Sequence, residues 1–208
     1  EILESAYHYC PSYKKLYKSF EVTPYDFKSL EDLHKFPVVD KKFIKANFEG
    51  IINKTFSRNK EIRFTGGSTS APMKFYLEQR QILEEKAYFY YIWEKYGYKM
   101  GQRCVVLKGD KVSDVENRRF SLFDKFYNQL KMDSDYLNKK EFLRCYDRDI
   151  KGFGAKTLFG FPSSVYQLAV NYLNSDLEPP NFERILFASE NTYEDQLSLI
   201  KQIFRPIS

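Results

Sequence analysis

An α/β fold is predicted for this chain of 208 residues, and three features predict it. Short, mostly apolar, strand-like runs recur at residues 104–107, 157–161 and 184–187. Helical periodicity fills the intervals after the later runs. A glycine- and hydroxyl-rich loop separates two further strand candidates. Strands alternating with helices build a sheet whose faces the helices cover. Ligands of such sheets gather outside the carboxyl ends of the strands, so the loops after the three apolar runs are the places to look for a site.

The elements follow in order. The first sixty residues read as helices broken at Pro11, Pro24 and Pro37, since proline restricts the backbone on both sides. Ser29 followed three residues later by Asp32 predicts a capped turn, and Asp40 a cap for a short helix carrying Phe43, Ile44 and Phe48. Residues 61–64 and 73–77 are strand candidates on either side of the loop. A long helix is expected over 78–96. Ile82, Phe89, Trp93 and Tyr96 line one stripe, Leu83, Ala87 and Tyr90 widen it, and Gly97 suits its C-terminus. The run at 104–107 ends at Gly109, and residues 120–130 are expected to be helical. Ser163 or Ser164 is expected to cap a helix with Val165, Leu168, Ala169 and Tyr172 on one face. Thr192 is expected to cap the last helix, with Glu194 and Asp195 favouring the dipole of its first turn. The chain thus divides into a helical segment, 1–60, and an α/β part, 61–208.

The loop Thr65-Gly66-Gly67-Ser68-Thr69-Ser70-Ala71-Pro72 is the richest in chemistry. Its glycines let a backbone approach an anion, its hydroxyls donate, and Arg63 and Lys74 flank it with positive charge. The phosphate loop of kinases and GTPases is excluded, because the second glycine and its lysine are missing. The dinucleotide loop is excluded too, for want of Gly-x-Gly-x-x-Gly between strand and helix. A Ser/Thr/Gly loop between two strands remains, as does an ordinary hairpin turn.

Composition narrows the classes further. The chain is 43% apolar and 29% charged with a net charge of +5, which is too mild to argue for nucleic acid. The three cysteines, Cys10, Cys104 and Cys145, lie far apart and fit reduced thiols in a cytoplasmic protein. Two histidines and no Cys-x-x-Cys leave no zinc-ligand spacing and no metal ligands to assign. No apolar run approaches the roughly 20 residues of a membrane span.

Four blocks together resemble the phenylacetate–CoA ligase branch of the adenylate-forming ligases, and most of all its relatives in capsular polysaccharide biosynthesis. They are residues 22–41, with Val22-Thr23-Pro24-Tyr25 and Phe36-Pro37-Val38-Val39-Asp40; the loop with Lys74-Phe75-Tyr76 behind it; Thr157-Leu158-Phe159-Gly160-Phe161-Pro162-Ser163-Ser164; and Ile185-Leu186-Phe187-Ala188-Ser189-Glu190. The resemblance implies the N-terminal part of the large domain of such an enzyme, a mixed sheet flanked by helices. The mobile C-terminal domain and the catalytic residues are expected beyond Ser208, and the 208 residues alone are expected to be inactive. It implies attack of a carboxylate on the α-phosphate of ATP, with Mg²⁺, and transfer of the acyl group, commonly to coenzyme A. On this resemblance Thr65, Gly66, Gly67, Ser68, Thr69, Ser70 and Lys74 bind phosphate. Ala188, Ser189 and Glu190 border the adenine, and Phe161, Pro162 and Ser163 form a wall of the acyl pocket. The partner is a small carboxylic acid, with no nucleic acid and no integral membrane segment. Two positions depart from the family pattern: Ser70 and Ala188 stand where glycine is common. They motivate the alternative of a non-catalytic homologue, a binding protein in surface polysaccharide assembly.

Overall fold

The computed structural model describes residues 1–55, 59–65, 72–109 and 112–206. Gly66, Gly67, Ser68, Thr69 and Ser70 lie outside the described residues. The chain forms two compact units, Glu1–Lys86 and Ala87–Ser208.

The first unit is helical up to a two-stranded ribbon. Helices α1 (Ile2–Tyr9) and α2 (Pro11–Ser19) adjoin at Cys10, with Pro11 at the first position of α2, where its missing N–H costs nothing. Tyr17 is buried and packs edge-on against Phe36 and Tyr13. Capping boxes at Thr23/Asp26 and Ser29/Asp32 start two 3₁₀ turns, Pro24–Asp26 and Leu30–Lys35. The Lys35 ammonium and the N–H groups of Lys28 and Ser29 hold the Asp32 carboxyl well below the usual carboxylate range. Asp40 caps α3 (Lys41–Ala46) as expected, its Oδ1 accepting the Phe43 N–H at 2.7 Å, and α4 (Phe48–Ile51) follows. Strands β1 (Lys60–Phe64) and β2 (Lys74–Glu78) then pair antiparallel, with Phe64 opposite Lys74. Helix α5 (Gln79–Lys95) crosses the sequence boundary between the units.

The second unit is built on a five-stranded mixed sheet in the order β4-β5-β3-β6-β7. Strands β3 (Cys104–Leu107), β5 (Gln129–Met132), β6 (Thr157–Gly160) and β7 (Arg184–Phe187) run parallel, and β4 (Ser121–Asp124) is antiparallel on the edge. Residues 120–130, expected to be helical, are instead the β4–β5 hairpin. Asp124 Oδ1 accepts the N–H groups of Phe126 and Tyr127 at 3.1 and 3.2 Å, and Asn128 takes φ 53°. Aspartate and asparagine form such turns through side-chain bonds and tolerance of the left-handed region. That turn chemistry, with the ladder it permits, overrides the helix-like spacing of the apolar residues.

Side-chain alternation sorts the sheet into two faces. Val105 and Leu107 of β3, Leu158 of β6 and Ile185 of β7 enter the larger core. It is completed by α6 (Leu143–Phe153), α7 (Pro162–Leu173) and α8 (Glu194–Phe204). Cys104, Val106, Phe159 and Leu186 face the other way, onto Trp93 and Tyr98, with Phe89 and Tyr90 beside them. The helix starts differ from expectation in detail. Phe161 is the N-cap of α7 with Pro162 at its first position, and Tyr193 is the N-cap of α8; neither makes a side-chain cap.

Candidate functional site

Parallel strands all end on one side, so register decides which exit residues become neighbours. Leu107 of β3 pairs with Gly160 of β6, and Gly160 with Phe187 of β7. The next residue on each strand is Lys108, Phe161 and Ala188, so these three form one row across the carboxyl edge. Chain direction supports a crevice there: β3 connects toward β5 on one side, while β6 connects toward β7 on the other. That divergence is the switch point at which open α/β sheets take ligands.

The structure therefore brings together two sequence blocks predicted to act together. The Gly160-Phe161-Pro162-Ser163 turn and the Ala188-Ser189-Glu190 strand end are also joined directly, since Glu190 Oε2 accepts the Ser163 N–H at 3.1 Å. Ser163 is the second residue of α7, where an unpaired backbone donor and the helix dipole both favour a carboxylate. Pro162 is buried, Phe161 and Ala188 are half-buried, and Ser163, Ser189 and Glu190 are exposed. Ser189 has φ 70°, while Ala188 is not among the residues of positive φ. The left-handed region costs a non-glycine residue about 1–2 kcal/mol, so the backbone strain of this strand end sits at Ser189, one residue beyond the departure seen in sequence.

Lys108 was not singled out from the sequence. Its ammonium lies 4.8 Å from the ring centre of Phe159, 5.3 Å from Phe161 and 5.7 Å from Phe89. Each such contact is worth about 0.5–2 kcal/mol, so the rings hold a cation in place at the strand ends. Gly109 follows at φ 73°, a conformation that lets β3 turn away at once. Asp133, the residue after β5, is 1% exposed, and its Oδ1 accepts the Asp135 N–H at 3.0 Å. Neither Lys108 nor Asp133 belongs to a motif, and only the sheet register gives them a place.

The phosphate-loop candidates belong to the first unit. Thr65 and Met73 close the neck of the loop. The Thr65 N–H donates to the Met73 carbonyl at 2.9 Å, and the Met73 N–H donates to Thr65 Oγ1 at 2.9 Å. The Thr65 hydroxyl is the acceptor in that bond, and a hydroxyl can also donate one proton. Lys74 sets its ammonium 4.7 Å from the Phe48 ring centre and 5.4 Å from that of Tyr76. Gly66, Gly67, Ser68, Thr69 and Ser70 lie outside the described residues. No group of three or more potential metal-ligating side chains occurs among the described residues, and none of their helices is long and apolar enough to cross a membrane.

No family model matches the sequence. Over 170 residues it is 28% identical to Protein CapK of Staphylococcus aureus, covering 80% of this chain and 37% of that protein. Among solved structures it is similar to 2-hydroxyisobutyryl-CoA ligase in the postadenylation state with 2-HIB-AMP. There the TM-score is 0.61 at 16% identity, over 99% of this chain and 44% of the other. An open conformation of that ligase with 2-HIB-AMP and CoA gives 0.59 at 16% identity, covering 99% and 49%. Its thioesterification state gives 0.60 at 15% identity, covering 99% and 45%. The chain thus spans less than half the length of the proteins it matches. The resemblance read from the four sequence blocks is borne out: these residues carry the mixed α/β fold of the N-terminal part of the adenylate-forming CoA ligases.

Proposed function

We propose that the chain is the nucleotide- and acid-binding part of an enzyme that activates a carboxylic acid as its acyl-adenylate and passes the acyl group to coenzyme A. The observation that carries this reading is the row Lys108, Phe161 and Ala188 at the sheet's carboxyl edge, tied across two strands by the Glu190–Ser163 bond. In this reading ATP supplies the phosphorus centre and the leaving pyrophosphate, and Mg²⁺ would arrive with the nucleotide and offset its charge, since no metal-ligand cluster occurs among the described residues. The chain's own residues orient and stabilise. Ser68, Thr69 and Ser70 donate to the phosphates, Gly66 and Gly67 allow close approach, and Lys74 adds charge. Preorganised donors of this kind act on the charge that gathers on the leaving group. Ala188, Ser189 and Glu190 border the base, Phe161, Pro162 and Ser163 wall the acyl pocket, and Lys108 offers an ammonium to the carboxylate before attack. The similarity to a ligase in complex with an acyl-adenylate supports this reading at the level of fold.

The test is carboxylate-dependent ATP–pyrophosphate exchange by the full-length protein across aryl, aliphatic and amino acids. Exchange with one class, lowered by Thr69→Val without loss of fold, is the expected result. Folded protein that binds ATP but gives no exchange with any acid would favour the second reading, a non-catalytic binding protein in surface polysaccharide assembly. Ser70 and Ala188, standing where glycine is common, are the residues that motivate that reading.

A further inference from the structure

The helical first unit contains a basic cleft that the adenylation reading does not use. It is an open hollow of about 440 Å³, within the roughly 300–1,000 Å³ range of small-molecule sites. Lys14, Lys15 and Lys18 line it from two turns of α2, and Lys54 from the segment after α4. The Lys54 N–H donates to the Tyr9 carbonyl at 3.0 Å, which fixes that segment against the end of α1. His8 and Tyr9 also line it, and among the described residues no carboxylate does. None of the four lysines has an ion-pair partner among the described residues. The Lys14 ammonium instead lies 5.5 Å from the Tyr7 ring centre.

Like charges three and four residues apart on a helix repel by a few tenths of a kcal/mol. Lys14, Lys15 and Lys18 carry that cost with no acid paired against it among the described residues. A multiply charged anion removes the repulsion and satisfies several ammonium groups at once. From this we infer that the cleft is a binding site for a small molecule carrying two or more phosphate groups. Lysines serve as point charges for phosphate. The hollow shape favours a compact polyanion over a flat lipid surface, and the Tyr9 ring and Pro11 give an apolar wall for its organic part. None of the described residues that line it belongs to the phosphate-loop candidates.

Isothermal titration of the full-length protein with inorganic tripolyphosphate tests the inference. The expected result is saturable binding that weakens about tenfold or more when Lys14, Lys15, Lys18 and Lys54 are all changed to Gln, and that weakens with salt between about 50 and 300 mM. Exchanging Lys99, Lys125, Lys140 and Lys201 for Gln makes the same change in net charge and is expected to leave binding intact. Lys18→Gln and Lys54→Gln singly are each expected to show part of the loss. Equal loss in the two quadruple variants would overturn the inference, because it would reduce the effect to overall charge. Loss with Thr69→Val but not with the cleft variant would assign the ion to the loop and overturn it as well. So would binding of vesicles rich in anionic lipid, dependent on the four lysines, with no binding of tripolyphosphate.

Discussion

Gly160 is the last residue of β6 before the candidate site, and Gly160→Ala tests whether that junction is as closely packed as the structure has it. A Cβ built there would lie 2.8 Å from the Leu107 carbonyl oxygen, 2.9 Å from Val165 Cγ2 and 3.3 Å from Leu107 Cβ. Ordinary carbon contacts are about 3.5–4.0 Å, so the neighbours must give way on two sides. The Leu107 oxygen cannot retreat freely, because it accepts the Phe161 N–H at 3.2 Å in the middle of the sheet. Val165 is fully buried in the first turn of α7, and a valine on a helix has essentially one rotamer. Overpacking of this kind costs about 1–3 kcal/mol. Stiffening the unfolded chain returns about 0.4–1 kcal/mol. The expected net loss of about 1–2 kcal/mol corresponds to about 2–8 °C in Tm for a domain of this size. The assay is thermal unfolding of the full-length protein beside Gly152→Ala. Gly152 lies in α6, where an added Cβ meets nothing within 4 Å. Alanine there is favoured over glycine by about 0.8–1 kcal/mol, so the same chemical change is expected to raise Tm. A Gly160→Ala protein as stable as wild type would refute the packing argument.

Three further outcomes are expected. Lys108→Gln leaves the fold intact but removes the ammonium held by Phe89, Phe159 and Phe161. A lost charged hydrogen bond is worth about 1.5–3 kcal/mol, so exchange activity is expected to drop about ten- to hundredfold, and unchanged activity would remove Lys108 from the site. Glu190→Ala deletes the acceptor of the Ser163 N–H; loss of a helix cap costs about 0.5–2 kcal/mol, and an unchanged Tm would show that the bond does not hold the two strand ends together. Alkaline pH is expected to destabilise the second unit. Burial pushes the Cys104 thiol from 9.0 up to about 12, and burial, with smaller contributions from Tyr127, Cys104 and Asp124, pushes the Tyr90 phenol from 10.0 up to about 12. Both groups ionise more readily when unfolded. The stability they contribute is whole below about pH 9 and is lost as pH rises toward about 12. A urea midpoint that does not fall between about pH 8 and pH 11 would contradict the burial of these groups.

The parts of the fold most legible in the sequence were those whose burial is continuous. Strands β3, β6 and β7 are covered on both faces, so they read as mostly apolar runs without alternation, and the structure sets them within a residue of expectation. The end of α5 was less legible. Tyr96 continues the helical stripe in sequence yet is 60% exposed, because the helix stops at Lys95 and the chain turns through Gly97 at φ 79°. Tyr98 takes the buried place instead, its N–H donating to the Trp93 carbonyl at 3.1 Å. Helix α6 was missed although its signal is present: Leu143, Tyr146 and Ile150 repeat at helical spacing and Gly154 ends it at φ 65°. Its buried face also holds a carboxylate, Asp147, which breaks an apolar reading. The partners that satisfy it are the Tyr172 hydroxyl at 2.9 Å, from α7, and the Lys151 ammonium at 2.9 Å.

The candidate site follows the same division between local and non-local information. The loop, the Phe-Pro-Ser turn and the Ala-Ser-Glu strand end are each a few adjacent residues, so their chemistry could be read one block at a time. What makes the turn and the strand end neighbours is which strand lies beside which, and that is written in no single segment. The order β5-β3-β6-β7 puts the chain's first parallel strand between its second and third. Had β6 paired outside β5 instead, Lys108 would lie two strands from Phe161 and its ammonium would have lost two of its three rings. The crossover from β5 past β3 to β6 is therefore the topological step on which the site depends. Helix α6, which makes that crossing, packs Tyr146 against the Asp133 carbonyl at 2.5 Å and Tyr172 of α7 against Asp147. These buried polar contacts bind the crossover helix to the end of β5 and to α7, the helix that follows β6. Breaking them is thus expected to disturb the Lys108 row before it disturbs β3 itself.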